Sequence, residues 1–211
     1  MIDKDTKIYC SFSQNPGNNG CNFFNSEFEK RKINAIYKSF YSDNISESIK
    51  AVKHLDIKGF ALSMPFKIDA LSCMSSQDWC DESVCHIGAT NTITNTKGIL
   101  KAYNTDWIGV KIYFETLDLN HIFIIGDGGF SKAVQYTCKM MNISFDLINR
   151  KNWYKLNEIK NSTLFNATPV NVEVDSSNLL IDGRPHTTEG KIIALNQAKE
   201  QFKIYVGIDY E

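Results

Sequence analysis

His121-Ile122-Phe123-Ile124-Ile125 runs straight into Gly126-Asp127-Gly128-Gly129-Phe130-Ser131, and this junction decides the fold. A compact apolar run stopped by glycine predicts a buried strand. Ser131 to Met141 continues with a helical pattern, and Ile143 to Ile148 with a second strand. Strand, tight turn, helix and strand within about 30 residues make one βαβ unit, which requires parallel strands. Glycines at a strand-to-helix junction let backbone N–H groups approach a pyrophosphate at the helix N-terminus. Gly126, Gly128, Gly129 and Phe130 are therefore candidate dinucleotide contacts, the alternative being a plain strand–helix turn. Asp127 fits less well, since its carboxylate would repel a nearby pyrophosphate by about 1 kcal/mol unless the side chain points away.

The residues after the second strand bear on which dinucleotide. An NAD-type enzyme carries an acidic residue there for the ribose 2′-OH, whereas this chain has Asn149-Arg150-Lys151. Cations suit a 2′-phosphate, which favours NADP; the alternative is a solvated basic turn. Further on, Asn178 to Asp182 reads as a short strand. Ile192, Ile193, Leu195, Ala198, Phe202 and Tyr205 mark an amphipathic helix able to pack back on the first part of the chain.

Upstream, Lys7 to Phe12 reads as a strand ending in the polar loop Gln14 to Asn22, followed by a helix with Phe24, Phe28, Arg31 and Ala35 along one side. Ile36 to Phe40 is a strand, Ile45, Ile49 and Val52 a helical stripe, and Gly59 to Met64 a buried strand stopped by Pro65. A helix over Trp107 to Leu117 links this part to the second. The β-α-β-α-β rhythm predicts a mostly parallel sheet covered by helices.

Composition narrows the function. With 211 residues, 43% of them hydrophobic, the chain can bury one or two small cores. The 23 basic and 24 acidic residues are scattered and nearly cancel, so nucleic acid is not an expected partner. No apolar run approaches the roughly 20 residues of a membrane span, and Met1-Ile2-Asp3-Lys4-Asp5 lacks the apolar stretch of a signal peptide. The expectation is a cytoplasmic protein without membrane contact. Six cysteines show no disulfide framework, and Cys80, Cys85 and His86 lack a second paired knuckle, so no metal is expected.

Lys67 follows Pro65-Phe66 at a strand end, and Asp106 precedes the linking helix in Tyr103-Asn104-Thr105-Asp106. Either could be a surface charge. At the open ends of parallel strands beside a nucleotide crevice, they could instead form a proton-transfer pair.

Five motifs stand in order along the chain: Lys58-Gly59-Phe60-Ala61-Leu62-Ser63-Met64-Pro65-Phe66-Lys67, Ile87-Gly88-Ala89-Thr90-Asn91-Thr92, Tyr103-Asn104-Thr105-Asp106, the glycine turn, and Asn166-Ala167-Thr168. Together they resemble the shikimate dehydrogenase family. Ser11-Phe12-Ser13, Pro16-Gly17-Asn18, Gly20, Phe23-Phe24-Asn25, Ser63-Met64-Pro65-Phe66-Lys67 and the closing Gly190 to Phe202 are similar to its shikimate dehydrogenase-like subgroup.

The resemblance implies an α/β protein of two lobes. Residues 1–106 with 189–211 would form an N-terminal α/β substrate-binding domain, and 107–188 a truncated Rossmann-type NADP-binding domain, with the C-terminal helix packing back on the first. Lys67 and Asp106 would be the catalytic pair, the lysine exchanging the proton of the reacting hydroxyl and the aspartate orienting it. Asn91, Thr105 and Gln197 would line the substrate pocket, with Ser63 where the housekeeping enzymes carry Thr. Gly126, Gly128, Gly129, Phe130, Asn149, Arg150 and Lys151 would hold NADP, and Asn166, Ala167 and Thr168 would lie along its nicotinamide side. The implied activity is an NADP-dependent alcohol dehydrogenation on shikimate or a related cyclic hydroxy acid, within aromatic amino acid biosynthesis, by a monomer or homodimer.

Departures from the family pattern matter as well. Its Ser-x-Ser-Pro carboxylate signature falls on Asn18, Asn19, Gly20 and Cys21, and Ala61 replaces a pocket Asn; Ser11 and Ser13 could partly compensate. Hydrogen bonds to a charged ligand are worth roughly 1.5–3 kcal/mol each, so shikimate affinity should fall and activity be low. Only Val170 to Glu189 separate Asn166-Ala167-Thr168-Pro169 from the closing helix, so the nucleotide sheet should lack at least one βα unit. The alternative reading is a catalytically impaired homologue that binds a small ligand or nucleotide. A methylene-folate dehydrogenase or cyclohydrolase of similar architecture fits the ordered motifs less well.

Overall fold

The computed structural model describes residues 2–208 and 210. Two compact units emerge: Met1–Asn104 with Ala198–Glu211, and Thr105–Gln197. The sequence reading divides the chain at 106/107 and 188/189, whereas these units divide at 104/105 and 197/198.

The first unit contains β1 (Lys7–Ser13), α1 (Asn19–Lys30), β2 (Ala35–Tyr41), α2 (Ile45–His54), β3 (Gly59–Leu62), the short α3 (Phe66–Asp69), β4 (Trp79–Cys80), α4 (Glu82–Ile87), β5 (Thr92–Thr96) and β6 (Ile99–Tyr103). The sheet order is β2-β1-β3-β5-β6-β4. The expected parallel core is present, since β2 and β3 both run parallel to β1. The sheet as a whole is mixed, because β5 is antiparallel to both β3 and β6. This hairpin turns on Lys97 and Gly98, with φ of 54° and 85°. Positive φ at both central residues is the turn whose twist suits two adjacent strands.

One layer of the first core packs Phe12, Ile49, Val52, Phe60 and Leu62. On another, Tyr9, Phe24, Phe28 and Tyr37 meet Phe202 and Tyr205 of the C-terminal helix, as expected. α1 also closes the free edge of β2. Asn25 Nδ2 donates to the Tyr37 carbonyl at 2.9 Å, its Oδ1 accepts from the Tyr37 N–H at 2.8 Å, and Cys21 Sγ accepts from the Ser39 N–H at 3.3 Å. An open edge is a template for unwanted pairing, and these side chains occupy it.

The second unit contains α5 (Asp106–Phe114), β7 (His121–Ile125), α6 (Gly129–Met140), β8 (Ser144–Ile148), β9 (Thr163–Asn166), β10 (Leu179–Asp182) and the first half of α7 (Thr188–Val206). Its sheet is wholly parallel, in the order β10-β9-β7-β8. The chain reverses direction of growth between β7 and β9, the switch point at which doubly wound sheets bind ligands. Truncation takes a definite form here: four strands, a single 3₁₀ turn (Trp153–Asn157) between β8 and β9, and no helix between β9 and β10. α5 and α7 pack closely because Gly109 has no side chain; a Cβ there would lie 2.5 Å from the Ile193 carbonyl oxygen.

Several element ends differ from expectation. The helix expected to include Ala35 stops at Lys30, and the strand expected to reach Met64 stops at Leu62, leaving Met64 exposed. The helix expected over Trp107 to Leu117 ends at Phe114. α1, α2 and α6 share one stop: Ile33, Ile57 and Ile143 donate to the carbonyls of Phe28, Val52 and Cys138 at 2.8, 3.1 and 2.8 Å. The preceding Lys32, Asp56 and Asn142 have φ of 55°, 52° and 56°. This left-handed C-terminal cap directs the chain into the next strand without glycine.

Candidate active site

In the first unit, four backbone hydrogen bonds gather the expected substrate residues at one end of the sheet. Ser63 N donates to the Phe12 carbonyl at 3.2 Å, Leu62 N to Asn91 O at 2.9 Å, Phe66 N to Ser63 O at 2.9 Å, and Thr90 N to Lys67 O at 2.7 Å. The ends of β1 and β3, the short α3 and the loop before β5 therefore carry Ser13, Ser63, Lys67 and Asn91 together. Lys67 is half-buried and Ser63 exposed, while Asn91 is buried with its Oδ1 accepting from Thr92 Oγ1 at 3.0 Å. Thr90 steadies the loop by donating to the Tyr103 carbonyl at 2.7 Å.

The opening loop is arranged differently. Ser13 Oγ accepts from the Asn15 N–H at 2.9 Å, a bond within its own turn. Ser11 Oγ turns toward β2 and donates to Ser39 Oγ at 3.1 Å, with Cys21 Sγ 3.3 Å from the same Ser39 oxygen. Asn18 is exposed at the start of α1, and its side chain makes no cap bond.

In the second unit, Thr105 is fully buried and its Oγ1 donates to Gln197 Oε1 at 3.1 Å. Asp106 opens α5 and is 5% exposed.

The glycine turn sits at the carboxyl end of β7. Gly126 has φ 118°, its N–H donates to Ile148 O at 2.8 Å, and a Cβ on it would lie 3.1 Å from Thr168 Cγ2. Gly128 is extended at the N-cap of the twelve-residue α6, with nothing within 4 Å of where its Cβ would stand. Ser131 Oγ returns to Gly126 O at 2.8 Å and closes the turn. Asp127 is exposed. Phe130 contributes backbone at this terminus, while its ring packs 5.9 Å from that of Phe165.

Beside it, the turn after β8 is built by asparagines: Asn149 N donates to Asn152 Oδ1 at 2.7 Å and Lys151 N to Asn149 Oδ1 at 2.9 Å. Arg150 and Lys151 are exposed. Among the described residues no carboxylate pairs with either.

Ala167 and Thr168 lie against Gly126, with Ala167 N donating to Ile125 O at 2.9 Å. Asn166 is fully buried and its amide is saturated. Its Nδ2 donates to Val170 O (3.0 Å) and Asp182 Oδ1 (3.3 Å), and its Oδ1 accepts from Thr168 N (3.0 Å) and Thr168 Oγ1 (2.7 Å). Asn166 thus shapes the turn through its side chain. Asp182 is held below the usual carboxylate range: burial pushes it up, but the Arg184 guanidinium and N–H outweigh that.

The glycine turn fits a dinucleotide on its own geometry. The positive φ at Gly126 and the packing against Thr168 exclude a side chain, and the α6 terminus beyond Gly128 is clear. Sequence reasoning missed Gln201, four residues after Gln197, which donates to Thr92 Oγ1 at 2.8 Å beside Asn91. It also missed Asp182 and Arg184, which carry no local motif. Among the described residues, no cluster of three or more His, Cys, Asp or Glu could hold a metal ion, and no helix is long and apolar enough to cross a membrane.

The chain thus combines a mixed-sheet α/β unit bearing a lysine and a buried amide at one sheet end with a Rossmann-like, wholly parallel unit bearing a glycine-rich turn. The sequence profile described as the shikimate dehydrogenase substrate binding domain matches residues 20–93. A shikimate dehydrogenase-like protein of Haemophilus influenzae is 42% identical over 137 residues, covering 64% of this chain and 49% of that protein. A shikimate dehydrogenase (NADP(+)) of Methanosphaera stadtmanae is 32% identical over 190 residues, covering 83% of this chain and 64% of that one. A solved shikimate 5-dehydrogenase-like protein superposes with a TM-score of 0.82 at 27% identity, over 100% of this chain and 95% of the other. Residues 20–93 thus match the shikimate dehydrogenase substrate binding domain, and the chain as a whole is similar to shikimate dehydrogenases. Its alignments span about half the length of the first curated relatives it matches.

Proposed function

We propose that this chain is a shikimate dehydrogenase-like, NADP-dependent oxidoreductase that moves hydride, at a low rate, between NADP(H) and shikimate/3-dehydroshikimate or a related cyclic hydroxy acid. The observation that carries this reading is the glycine turn, with an excluded side chain at Gly126, a clear helix terminus at Gly128 and exposed, unpaired Arg150 and Lys151 after the adjacent strand. The NADP(+) in the name of the Methanosphaera relative supports the same cofactor.

In this reading Gly126, Gly128, Gly129 and Phe130 hold the pyrophosphate through backbone N–H groups, and Arg150 and Lys151 meet the 2′-phosphate from the turn that Asn149 shapes. Ala167 and Thr168 line the nicotinamide side, placed by Asn166. Bound NADP would supply the hydride acceptor, the part of the chemistry no side chain can provide. Lys67 Nζ exchanges the proton of the reacting hydroxyl, and Asp106 orients that hydroxyl. Ser63, Asn91, Thr105 and Gln197 line the substrate pocket, and Gln201 steadies Asn91.

The opening loop supports low activity. Asn18 stands where the family has a hydroxyl, Ser13 accepts from its own turn, and Ser11 is engaged with Ser39. Calorimetry of NADP and NADPH, repeated with shikimate, tests the reading. Nucleotide binding strengthened by shikimate supports it; binding without measurable turnover supports the impaired, ligand-binding homologue; and no binding of either removes the nucleotide function.

A further inference from the structure

We propose that Arg184, through Asp182, is a positioning residue that clamps the 166–171 loop and so sets the Ala167-Thr168 turn for the nicotinamide half of the nucleotide. This role rests on the nucleotide reading above and goes beyond it, because neither residue belongs to the glycine or basic turn.

The clamp is built on the register of two parallel strands. Asp182 lies opposite Asn166 at the carboxyl ends of β10 and β9. Arg184 Nε lies 3.0 and 2.9 Å from the two Asp182 oxygens, and its Nη2 lies 2.5 Å from Oδ2. The Arg184 N–H also donates to Asp182 Oδ1 at 3.1 Å. The two side chains are 14% and 12% exposed, so this forked pair is shielded as most surface pairs are not.

From that pair two arms reach the loop. Asp182 Oδ1 accepts from Asn166 Nδ2 at 3.3 Å, at the loop's start, and Arg184 Nη2 donates to Asn171 Oδ1 at 2.9 Å, at its end. Asn166 in turn accepts from the N–H and the hydroxyl of Thr168, whose methyl would meet any side chain on Gly126. A continuous series of contacts therefore runs Arg184, Asp182, Asn166, Thr168, Gly126. With no helix between β9 and β10, this polar frame holds the loop where a crossover helix is missing.

Charge gives the clamp a second effect. A carboxylate behind the turn would oppose an anionic nucleotide, and the guanidinium cancels it in place. The carbonyl of Arg184 is itself fixed, since Thr187 Oγ1 donates to it at 2.8 Å and a Cβ on Gly190 would stand 1.8 Å from it.

The test compares NADPH with adenosine 2′,5′-bisphosphate, which carries the 2′-phosphate but no nicotinamide, by calorimetry on Arg184→Met, Arg184→Lys and Asn171→Ala. Arg184→Met is expected to weaken NADPH about tenfold while changing the bisphosphate less than about twofold, with Arg184→Lys in between. An equal loss of both ligands, or unchanged NADPH binding by a folded variant, overturns the proposal. Should Arg184→Met not fold, Asn171→Ala decides: about threefold weaker NADPH alone is expected, and no change overturns. Hydrogen exchange without nucleotide separates this proposal from the functional one. Faster exchange across residues 167–171 in the variants, with the amides of β7 unchanged, is expected of the clamp, and unchanged exchange overturns it. Wild-type protein that binds neither ligand overturns the nucleotide reading instead, whatever the exchange shows.

Discussion

Thr105 Oγ1 donates to Gln197 Oε1 across 3.1 Å, tying the residue before α5 to α7 within the second unit. The bond directs the amide oxygen toward Thr105. Thr105→Val removes the donor while keeping the shape. If the proposed function holds, it should raise the KM for the proposed cyclic hydroxy acid about five- to tenfold, a loss of about 1 kcal/mol, and leave NADPH affinity unchanged. Steady-state kinetics beside calorimetry checks this; parallel loss of both would place the pair outside the pocket.

Lys67→Ala and Asp106→Ala test the proposed proton-transfer pair. Each should lower kcat by about 100-fold or more, the scale of a general acid–base group, with circular dichroism unchanged. Full activity in either folded variant would remove that residue from the chemistry.

The exposed basic turn should read the 2′-phosphate. Arg150→Ala is expected to weaken NADP about tenfold and NAD hardly at all, and the NADP effect should shrink with added salt. Equal weakening of the two nucleotides in fluorescence titrations would show that the turn makes no distinction between them.

Acid stability should depend on Asp78, whose side chain is 1% exposed and bonded to Lys53 of α2 and Leu100 of β6. Its oxygens accept from Ser75 N (2.8 Å), Ser75 Oγ (2.9 Å), Leu100 N (2.7 Å) and Lys53 Nζ (3.2 Å). Burial alone would raise the carboxyl, but these donors hold it below its ordinary value. A folded pKa below the unfolded one stabilises the protein above about pH 4 and is lost as pH falls through the folded value. Asp78→Asn should therefore cost roughly 1–3 kcal/mol at neutral pH. The gap from wild type should narrow below about pH 4 in urea titrations, and a constant gap would assign the cost to packing.

The parts legible in the sequence were those written in local chemistry. The apolar run ending at Gly126 gave the strand, turn and helix directly, and Asn149-Arg150-Lys151 stood out for lacking the acidic residue. The β5–β6 hairpin was not read because Thr92 to Thr96 alternate polar residues around a single Ile93; its signal was the two-residue Lys97-Gly98 turn. α1 was read too far because its stop uses Lys32 in a left-handed conformation instead of a glycine. The edge-sealing role of Asn25 and the Asp182–Arg184 pair depend on which strands lie side by side, which local pattern does not carry. The family resemblance pointed to Asn166, but only the folded structure reveals that its amide is wholly used within the protein.

The first unit takes Phe202 and Tyr205 from the far end of the chain, and both are buried among Tyr9, Phe24, Phe28 and Tyr37. During synthesis its strands leave the ribosome well before this aromatic layer can close, whereas Thr105–Gln197 is complete earlier. Domains commonly mature in the order in which they emerge. Here the unit that starts first is finished last, since its aromatic layer cannot close until residue 205 has been translated.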